Sequence, residues 1–584
     1  MIKILPSGDE IKISDQQSIA NEFNNYFTSI GEKMANNIVT HSNDNINKFK
    51  TLNQCSRSFY LKPTSETEIT NLINSFNNNT ASGHDQVNAF ILKKINHVVS
   101  PIIAKIFNMC ISHGIYPDKL KIARVTPIFK SGSSSLFNNY RPISVLSILN
   151  KIFEKILFNR LTFFLNSNNY FCSQQYGFRE KSSTLNAVID LVNKIQVHLD
   201  NRDDVLGLFL DLSKAFDTVD KNILLEKLSF AGIRGLALDL FKSYLFNRTQ
   251  YVCINGINSL NSIVNIGVPQ GSVLGPLLFI IYLNDFSLLP LKGDLRLFAD
   301  DSSLFFNNKS NSINDRNLKD DLKKVIEYFR VNKLTLNINK TNIINIKNSI
   351  KSKPNPLTET KINFPDIDVV SNIKYLGITL DNRLNWATHI NSLISKLNKI
   401  TGLVYKIKHK LPLNVLILIY HSLFNSILSY LTAVWGNASS VLVNKLQIIQ
   451  NKFLRIVFNL PFRSHTVDLY TKNVNIIPVR GTYIIQVCCF IYSCLAQQTH
   501  SNTLFERSSH QYRTRNHNLL NRPNVSSLPG ERSISFKGVQ LFNFFTNKFG
   551  ACPTLNIFRK QLKSYLSQPA IVEKLLKSLD IFIV

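Results

Sequence analysis

The chain has no apolar run long enough to cross a membrane. Its longest, Leu277 to Leu283 and Tyr483 to Ala496, fall short of the roughly 20 residues that a bilayer core demands. The first residues, Met1-Ile2-Lys3-Ile4-Leu5-Pro6-Ser7-Gly8-Asp9-Glu10, lack the order of a secretory signal. These absences speak against membrane insertion and secretion, and predict a cytoplasmic or nuclear protein with reduced thiols. Cysteine is sparse: 8 residues, scattered, with no Cys-x-x-Cys pair facing a spaced histidine. No zinc knuckle is indicated, and Cys488, Cys489 and Cys494, set in an apolar segment, read as core thiols. Acids are scarce too. Asp and Glu total 38 against 67 Lys and Arg, a net charge of +29. That excess is spread along the chain, so the expected partner is a polyanion, and nucleic acid is the favoured one. Internal repeats and Gly/Ser linkers are absent.

With 584 residues there is room for several domains and at least one large core. Residues 1–65 are polar and Asn-rich, with one helix expected at Gln17 to Ala35. Residues 66–110 read as helical, interrupted by a loop at Gly83-His84-Asp85. From about 120 to 380, short β-rich runs alternate with amphipathic helices, which predicts an α+β domain. Residues 381–470 are dominated by helical periodicity. The clearest stripe is Leu442, Leu446, Ile449, Phe453 and Ile456, with Lys445, Asn451, Lys452 and Arg455 beside it. Residues 471–584 are basic, with a polar stretch at Arg513 to His517 and two short helical patterns at the end.

The chemistry concentrates in a few short blocks. Phe298-Ala299-Asp300-Asp301 lies between two apolar runs and reads as a hairpin with two carboxylates at its tip. Adjacent aspartates there repel each other and lose hydration, a cost that a bound divalent cation offsets. A second apolar strand, Val205 to Leu210, ends in Asp211. Asp211 and Asp300 on neighbouring strands can hold two Mg²⁺ about 3.5–4 Å apart, with Asp301 as a weaker third carboxylate. Leu212 can offer a backbone carbonyl, a hard oxygen ligand. Asp217 and Asp220, past the strand, read as acids at a helix N-terminus. Between the two carboxylate blocks, Gly267-Val268-Pro269-Gln270-Gly271-Ser272 carries a backbone shaped to pass close to something flat. Upstream, Lys130 and Arg141 flank a Gly/Ser-rich loop, which suits a phosphate clamp.

In this order the blocks resemble the reverse transcriptases of non-LTR retrotransposons, the jockey-like or LINE type. The resemblance rests on Ala123 to Lys130, Asn139 to Ser144, Gln175 to Arg179, Asp211 to Asp217 and Gly267 to Ser272. It continues through Phe298 to Asp301, Leu334 to Thr341 and Lys374 to Ile378. It is close over residues 66–385 and looser beyond, where Trp435-Gly436 belongs.

The resemblance implies a right-hand polymerase with fingers, palm and thumb. Residues 66–110 would be the helical start of the reverse transcriptase, 111–380 its fingers and palm, 381–470 a thumb-like region and 471–584 a basic C-terminal region. Asp211, Asp300 and Asp301 match the metal-binding carboxylates, with Mg²⁺ as cofactor and Mn²⁺ as its substitute. Phe216 matches the aromatic gate against a ribose 2′-OH. Ala215, Gln270 and Gly271 match the nucleotide pocket, and Lys130 and Arg141 the triphosphate cations. Lys340 matches a lysine that can protonate pyrophosphate. Tyr375, Leu376 and Gly377 match the turn that grips the primer. The implied partners are an RNA template, a DNA primer, deoxynucleoside triphosphates and a separate endonuclease, since no nuclease motif is recognisable. The implied activity is RNA-directed DNA polymerase, the alternative being a catalytically silent, nucleic-acid-binding remnant. Two departures stand out: Ser182 replaces a histidine of the family pattern, and Gln86 stands where the family carries a second glycine.

Overall fold

The computed structural model describes residues 1–4, 10–36, 38, 55–308, 311–347, 367–472, 475–496, 504–507, 519–550 and 552–578. The stretch Arg513 to His517 lies outside them. The architecture is α+β, and its two five-stranded sheets are called palm and fingers here after the expected layout.

The palm sheet runs, edge to edge, Asp368–Val369, Asn342–Ile346, Asp204–Leu210, Asp301–Asn308 and Asp294–Phe298. Its central strand, Asp204–Leu210, pairs antiparallel on both sides. Leu206, Leu208 and Leu210 enter one apolar cluster, and Val205 and Phe209 another. A strand covered on both faces carries a continuous apolar run instead of an alternating one, as this segment does. Gly207 lets two rings cross: a Cβ there would stand 2.9 Å from the Phe305 ring and 3.2 Å from that of Phe209.

The fingers sheet is built on the hairpin Ile122–Phe129 and Tyr140–Val145. Arg248–Ile254 lies parallel to the first of these, and Ile257–Asn258 and Ser262–Val264 pair with Arg248–Ile254. The expected N-terminal helix is present as Gln16–Asn36. It docks on this sheet. Phe23 and Phe27 share a cluster with Ala123, Val125, Phe137 and Val252. Asn24 Nδ2 donates to Leu260 O at 2.7 Å, and Gln250 Nε2 donates to Asn24 Oδ1 at 3.1 Å. The polar N-terminal residues therefore supply a wall of the fingers.

Behind the palm, helices Ala387–Ile407 and Ser440–Val457 share one apolar cluster with the C-terminal helices Val479–Leu495, Val539–Phe549 and Leu555–Leu566. Cys488, Cys489 and Cys494 are buried in it. Asp200 ties the palm to the C-terminal region by accepting from Ser527 Oγ at 2.6 Å and Ser526 N at 2.9 Å. In Ser440–Val457 the buried face is offset from the expected stripe. Leu446, Ile449 and Phe453 are central, Leu442 and Ile456 sit at its margins, and Val443, Gln450, Leu454 and Val457 complete it. Gln450 belongs inside because its amide finds partners there, Tyr420 Oη at 2.9 Å and Ile477 O at 2.8 Å. No described helix is long and apolar enough to cross a membrane.

Candidate active site

Asp211 directly follows the central palm strand. Ser302 pairs with Leu210 on the neighbouring strand, so Asp300 and Asp301 emerge alongside Asp211. The hairpin that carries them turns on two residues, Ala299 and Asp300, between the paired Phe298 and Asp301. Ala299 has a φ of 56°, a left-handed value for which such turns favour glycine. Gln175 holds the turn. Its buried Oε1 accepts from Ala299 N at 3.1 Å and from Gly177 N at 2.8 Å. Gly177 has no space for a side chain, since a Cβ would lie 2.4 Å from Ala299 N. Gln175 is thus a positioning residue that sequence reasoning quoted without giving it a task; a polar side chain two residues before a glycine was its only signal.

On the far side, the strand continues through Leu212, which opposes Leu336. Ser213 N donates to Thr335 O at 2.9 Å and Asn337 N to Asp211 O at 2.8 Å. In an antiparallel pair of this kind the carbonyl of Leu212 is directed away from Leu336, toward the side of the Asp300 hairpin. The segment after Asn337 brings Lys340 Nζ to 3.6 Å from Asp211 Oδ2.

Burial lifts the Asp300 carboxyl above its ordinary range, and Asp211 adds to the shift against a backbone hydrogen bond, Arg141 and Lys130. Asp301 is pushed up to about 6 by burial, then by the charges of Asp300 and Asp211. The cations belong to the same field. Burial lowers the Lys130 ammonium, as do Arg141 and Lys340, while Asp211 and Asp300 oppose this. Lys130 directly follows the strand Ile122–Phe129 and Arg141 lies on its partner strand, Lys130 N donating to Asn139 O at 2.8 Å and Arg141 opposing Ile128. Lys214 is a further cation here that the sequence reading did not select. Its ammonium is lowered by burial, and Asp217, Lys130, Lys340 and Arg141 all act on it.

Ala215 is buried and Phe216 half-buried, its ring stacked on Phe279 at 4.6 Å and 23°. The Gly267 to Ser272 loop is stitched to this block by Val268 N donating to Phe216 O at 2.9 Å, and to the fingers by Ser144 N donating to Gln270 O at 2.7 Å. Gly271 has a φ of 111°, and a Cβ there would meet Ser144 O at 2.7 Å. Asp220 caps helix Lys221–Phe230, accepting from Asn222 N and Ile223 N. Asp217 does not act at a helix terminus. It turns inward, and its Oδ1 accepts from Gln270 Nε2 at 2.8 Å. It lies three positions before the cap residue, outside the first helical turn.

Tyr375, Leu376 and Gly377 turn between Asn372–Tyr375 and Ile378–Asp381. Tyr375 and Leu376 share a cleft of about 350 Å³ with Asp211, Asp301 and Lys340. The turn is strained at Leu376 (φ 43°), Gly377 (φ 88°) follows in a conformation that suits glycine, and Tyr430 secures it, its Oη donating to Leu376 O at 2.8 Å.

Residues 128–380 match the family described as reverse transcriptase (RNA-dependent DNA polymerase). They are a reverse transcriptase domain. Related proteins of Drosophila melanogaster are the probable RNA-directed DNA polymerase from transposon BS, 28% identical over 69% of this chain and 46% of the relative, and the RNA-directed DNA polymerase from mobile element jockey, 29% identical over 69% and 44%. The probable RNA-directed DNA polymerase from transposon X-element is 28% identical over 68% of this chain and 44% of its own. The chain spans under half the length of these curated relatives. An apo telomerase of Candida tropicalis, at 12% identity over 62% of each chain, has a TM-score of 0.33, a likeness too weak to build on. In the reverse transcriptase domain lie both carboxylate blocks, the cation pair, the Gln270 loop and the Tyr375 turn.

Proposed function

We propose that the chain is an RNA-directed DNA polymerase of a non-LTR retrotransposon, extending a DNA primer on an RNA template with deoxynucleoside triphosphates. The observation that carries this reading is one cleft lined by Asp211, Asp301, Lys340, Tyr375 and Leu376, with Asp300, Lys130 and Arg141 acting on the same carboxylates through their charges.

The donor set fits Mg²⁺. Burial and mutual repulsion raise two of its carboxyls, which a cation between them relieves. Among the described residues no three His, Cys, Asp or Glu side chains close on one point. Mg²⁺ accepts such an open set, commonly taking one or two carboxylates together with substrate phosphates and water. Asp211, Asp300 and the Leu212 carbonyl would hold it, with Asp301 beside them. When bound, the metal lowers the pKa of an attacking hydroxyl and stabilises the leaving pyrophosphate.

Protein groups do the remainder. Lys130 and Arg141 bind the triphosphate as charge-assisted donors. Lys340, drawn toward Asp211, can deliver a proton to the departing pyrophosphate. Phe216, backed by Phe279, closes the sugar side of the pocket. Tyr375 to Gly377 set the primer end on the edge of the same cleft, so that its hydroxyl reaches the phosphate in a fixed orientation.

Primer extension on poly(A) with an annealed DNA primer tests the reading. Wild type extends in Mg²⁺. Asp300→Asn loses at least about a hundredfold, the usual scale for removing an electrostatic group at a reacting centre, and keeps its affinity for RNA. Near-full extension by Asp300→Asn would refute the metal assignment.

A further inference from the structure

We infer that Asp217 is a positioning residue which fixes the Gln270 amide for the incoming nucleotide, and that the N-terminal helix Gln16–Asn36 holds Asp217 in place. The inference rests on the polymerase reading and goes beyond it by giving the N-terminal helix a part in nucleotide selection.

The geometry has three parts. The first is the bond from Gln270 Nε2 to Asp217 Oδ1, 2.8 Å. A glutamine amide has two chemically opposite ends of nearly equal shape, and its orientation follows from its partners. A carboxylate can only accept, so it selects the NH₂ end. Oε1 is left as an acceptor for a hydroxyl of the nucleotide.

The second is the cradle around Asp217. Asp217 N donates to Lys214 O at 2.8 Å, and Gly267 N donates to Val219 O at 2.9 Å. Gly267, with a φ of 90°, approaches so closely that a Cβ would lie 2.9 Å from Asp217 O. Asp217 and Gln270 are therefore clamped by the backbones of the two loops that also carry Phe216 and Gly271.

The third is the N-terminal helix. Gly31 packs against the Asp217 carbonyl, and a Cβ there would overlap that oxygen at 2.2 Å. One turn earlier, Phe27 and Thr28 line the same small cavity as Asp217 and Gln270. Tyr26 lies under Lys214, whose Nζ is 5.8 Å from the ring centroid. The same helix grips the fingers hairpin through Phe23, 5.0 Å from the Tyr140 ring next to Arg141. One element thus braces the triphosphate cations and the Asp217–Gln270 pair together. Burial accompanies this placement, raising the Asp217 carboxyl to about 6 against the pull of Gln270 and Lys214.

A double-mutant cycle read as dNTP affinity tests the idea. Steady-state extension gives KM and kcat. The melting-temperature shift caused by dNTP and Mg²⁺ on a complex with a chain-terminated primer gives affinity without turnover. Asp217→Ala should raise KM about tenfold and weaken the thermal shift, with primer–template affinity unchanged. Asp217→Asn, which keeps an acceptor at Oδ1, should recover to within about threefold. Asp217→Ala with Gln270→Ala should be no worse than Gln270→Ala alone, as for residues acting as a unit. Gly31→Ala, which alters neither side chain, should reproduce the KM increase, and it decides the matter if Asp217→Ala does not fold. Additive effects in the cycle, or wild-type dNTP affinity in Asp217→Ala or in a folded Gly31→Ala, would overturn the inference. A wild-type protein that binds dNTP but does not extend sinks the polymerase reading instead, and the thermal shifts still judge Asp217.

Discussion

Phe216 stacks on Phe279 and meets Phe178 edge-on, with centroids 6.4 Å apart. A ring held from two sides cannot retreat from a sugar that carries an extra hydroxyl, and rigidity is what a steric gate requires. Phe216→Val should raise ribonucleotide incorporation at least about tenfold in single-nucleotide extension, the scale on which pocket contacts discriminate, while deoxynucleotide use persists. Unchanged discrimination would reduce Phe216 to a packing residue. A second residue-scale prediction concerns Gln86, which has a φ of 55° where the family pattern has glycine. A left-handed conformation costs a side chain roughly 1–2 kcal/mol, partly offset by the greater freedom of glycine when unfolded. Gln86→Gly should stabilise the fold by about 0.5–1 kcal/mol, seen as a higher melting temperature; a lower one refutes the strain. At this scale the sequence was legible where chemistry is local. Adjacent aspartates at an apolar turn, a strand ending in Asp211 and cations around a Gly/Ser loop are patterns within a few residues. Asp217 was misread because its partner, Gln270, is 53 positions away, and spacing along a chain says nothing about which way a carboxylate turns.

Among elements, the turn Tyr375 to Gly377 depends on a neighbour that no local pattern announces. Tyr430 donates to Leu376 O at 2.8 Å, its own carbonyl accepts from Trp435 Nε1 at 2.9 Å, and its ring fills the space that a Cβ on Gly377 would occupy, 2.8 Å from Cε1. The helical region therefore fastens the Tyr375 to Gly377 turn, and the positive φ of Leu376 persists because the contact over-determines it. Tyr430→Phe removes one hydrogen bond and should cost about 0.5–1.5 kcal/mol, with a rise in KM for the primer terminus. Gly377→Ala should do more harm, since it combines a φ of 88° with a collision. A primer-terminus KM that stays at the wild-type value in both variants would detach this turn from primer placement. The strands and helices themselves were readable: Val205 to Leu210 as a buried strand, Gln17 to Ala35 as a helix, Leu446, Ile449 and Phe453 as one face. What the stripe could not reveal was the inward side of Gln450, because a polar residue looks like surface until its partners, Tyr420 and Ile477, are placed.

At the scale of the whole molecule, a net charge of +29 is a statement about how the protein meets a polyanion. The charge is distributed, and the fold leaves part of it outward. Lys445 and Lys452 are both exposed on Ser440–Val457, seven residues apart and so on one face. Asn451 and Arg455, expected beside them, are occupied within the protein by Tyr470 Oη at 2.7 Å and Ser464 O at 2.8 Å. The two lysines are thus the part of that face free to reach a nucleic-acid backbone. Each neutralised phosphate releases counterions, so log affinity should fall linearly with log salt, by roughly 0.7–0.9 per contact. Filter binding of an annealed RNA–DNA duplex between about 50 and 200 mM salt should show a loss of about a thousandfold if six phosphates are engaged. Lys445→Glu with Lys452→Glu should weaken binding at low salt and flatten the slope by about two contacts. Helix and core should survive, since neither side chain is buried. A steep slope that the double reversal leaves unchanged would move the duplex to another face, and a flat slope in the wild type would mean that the basic surface does not track a backbone at all.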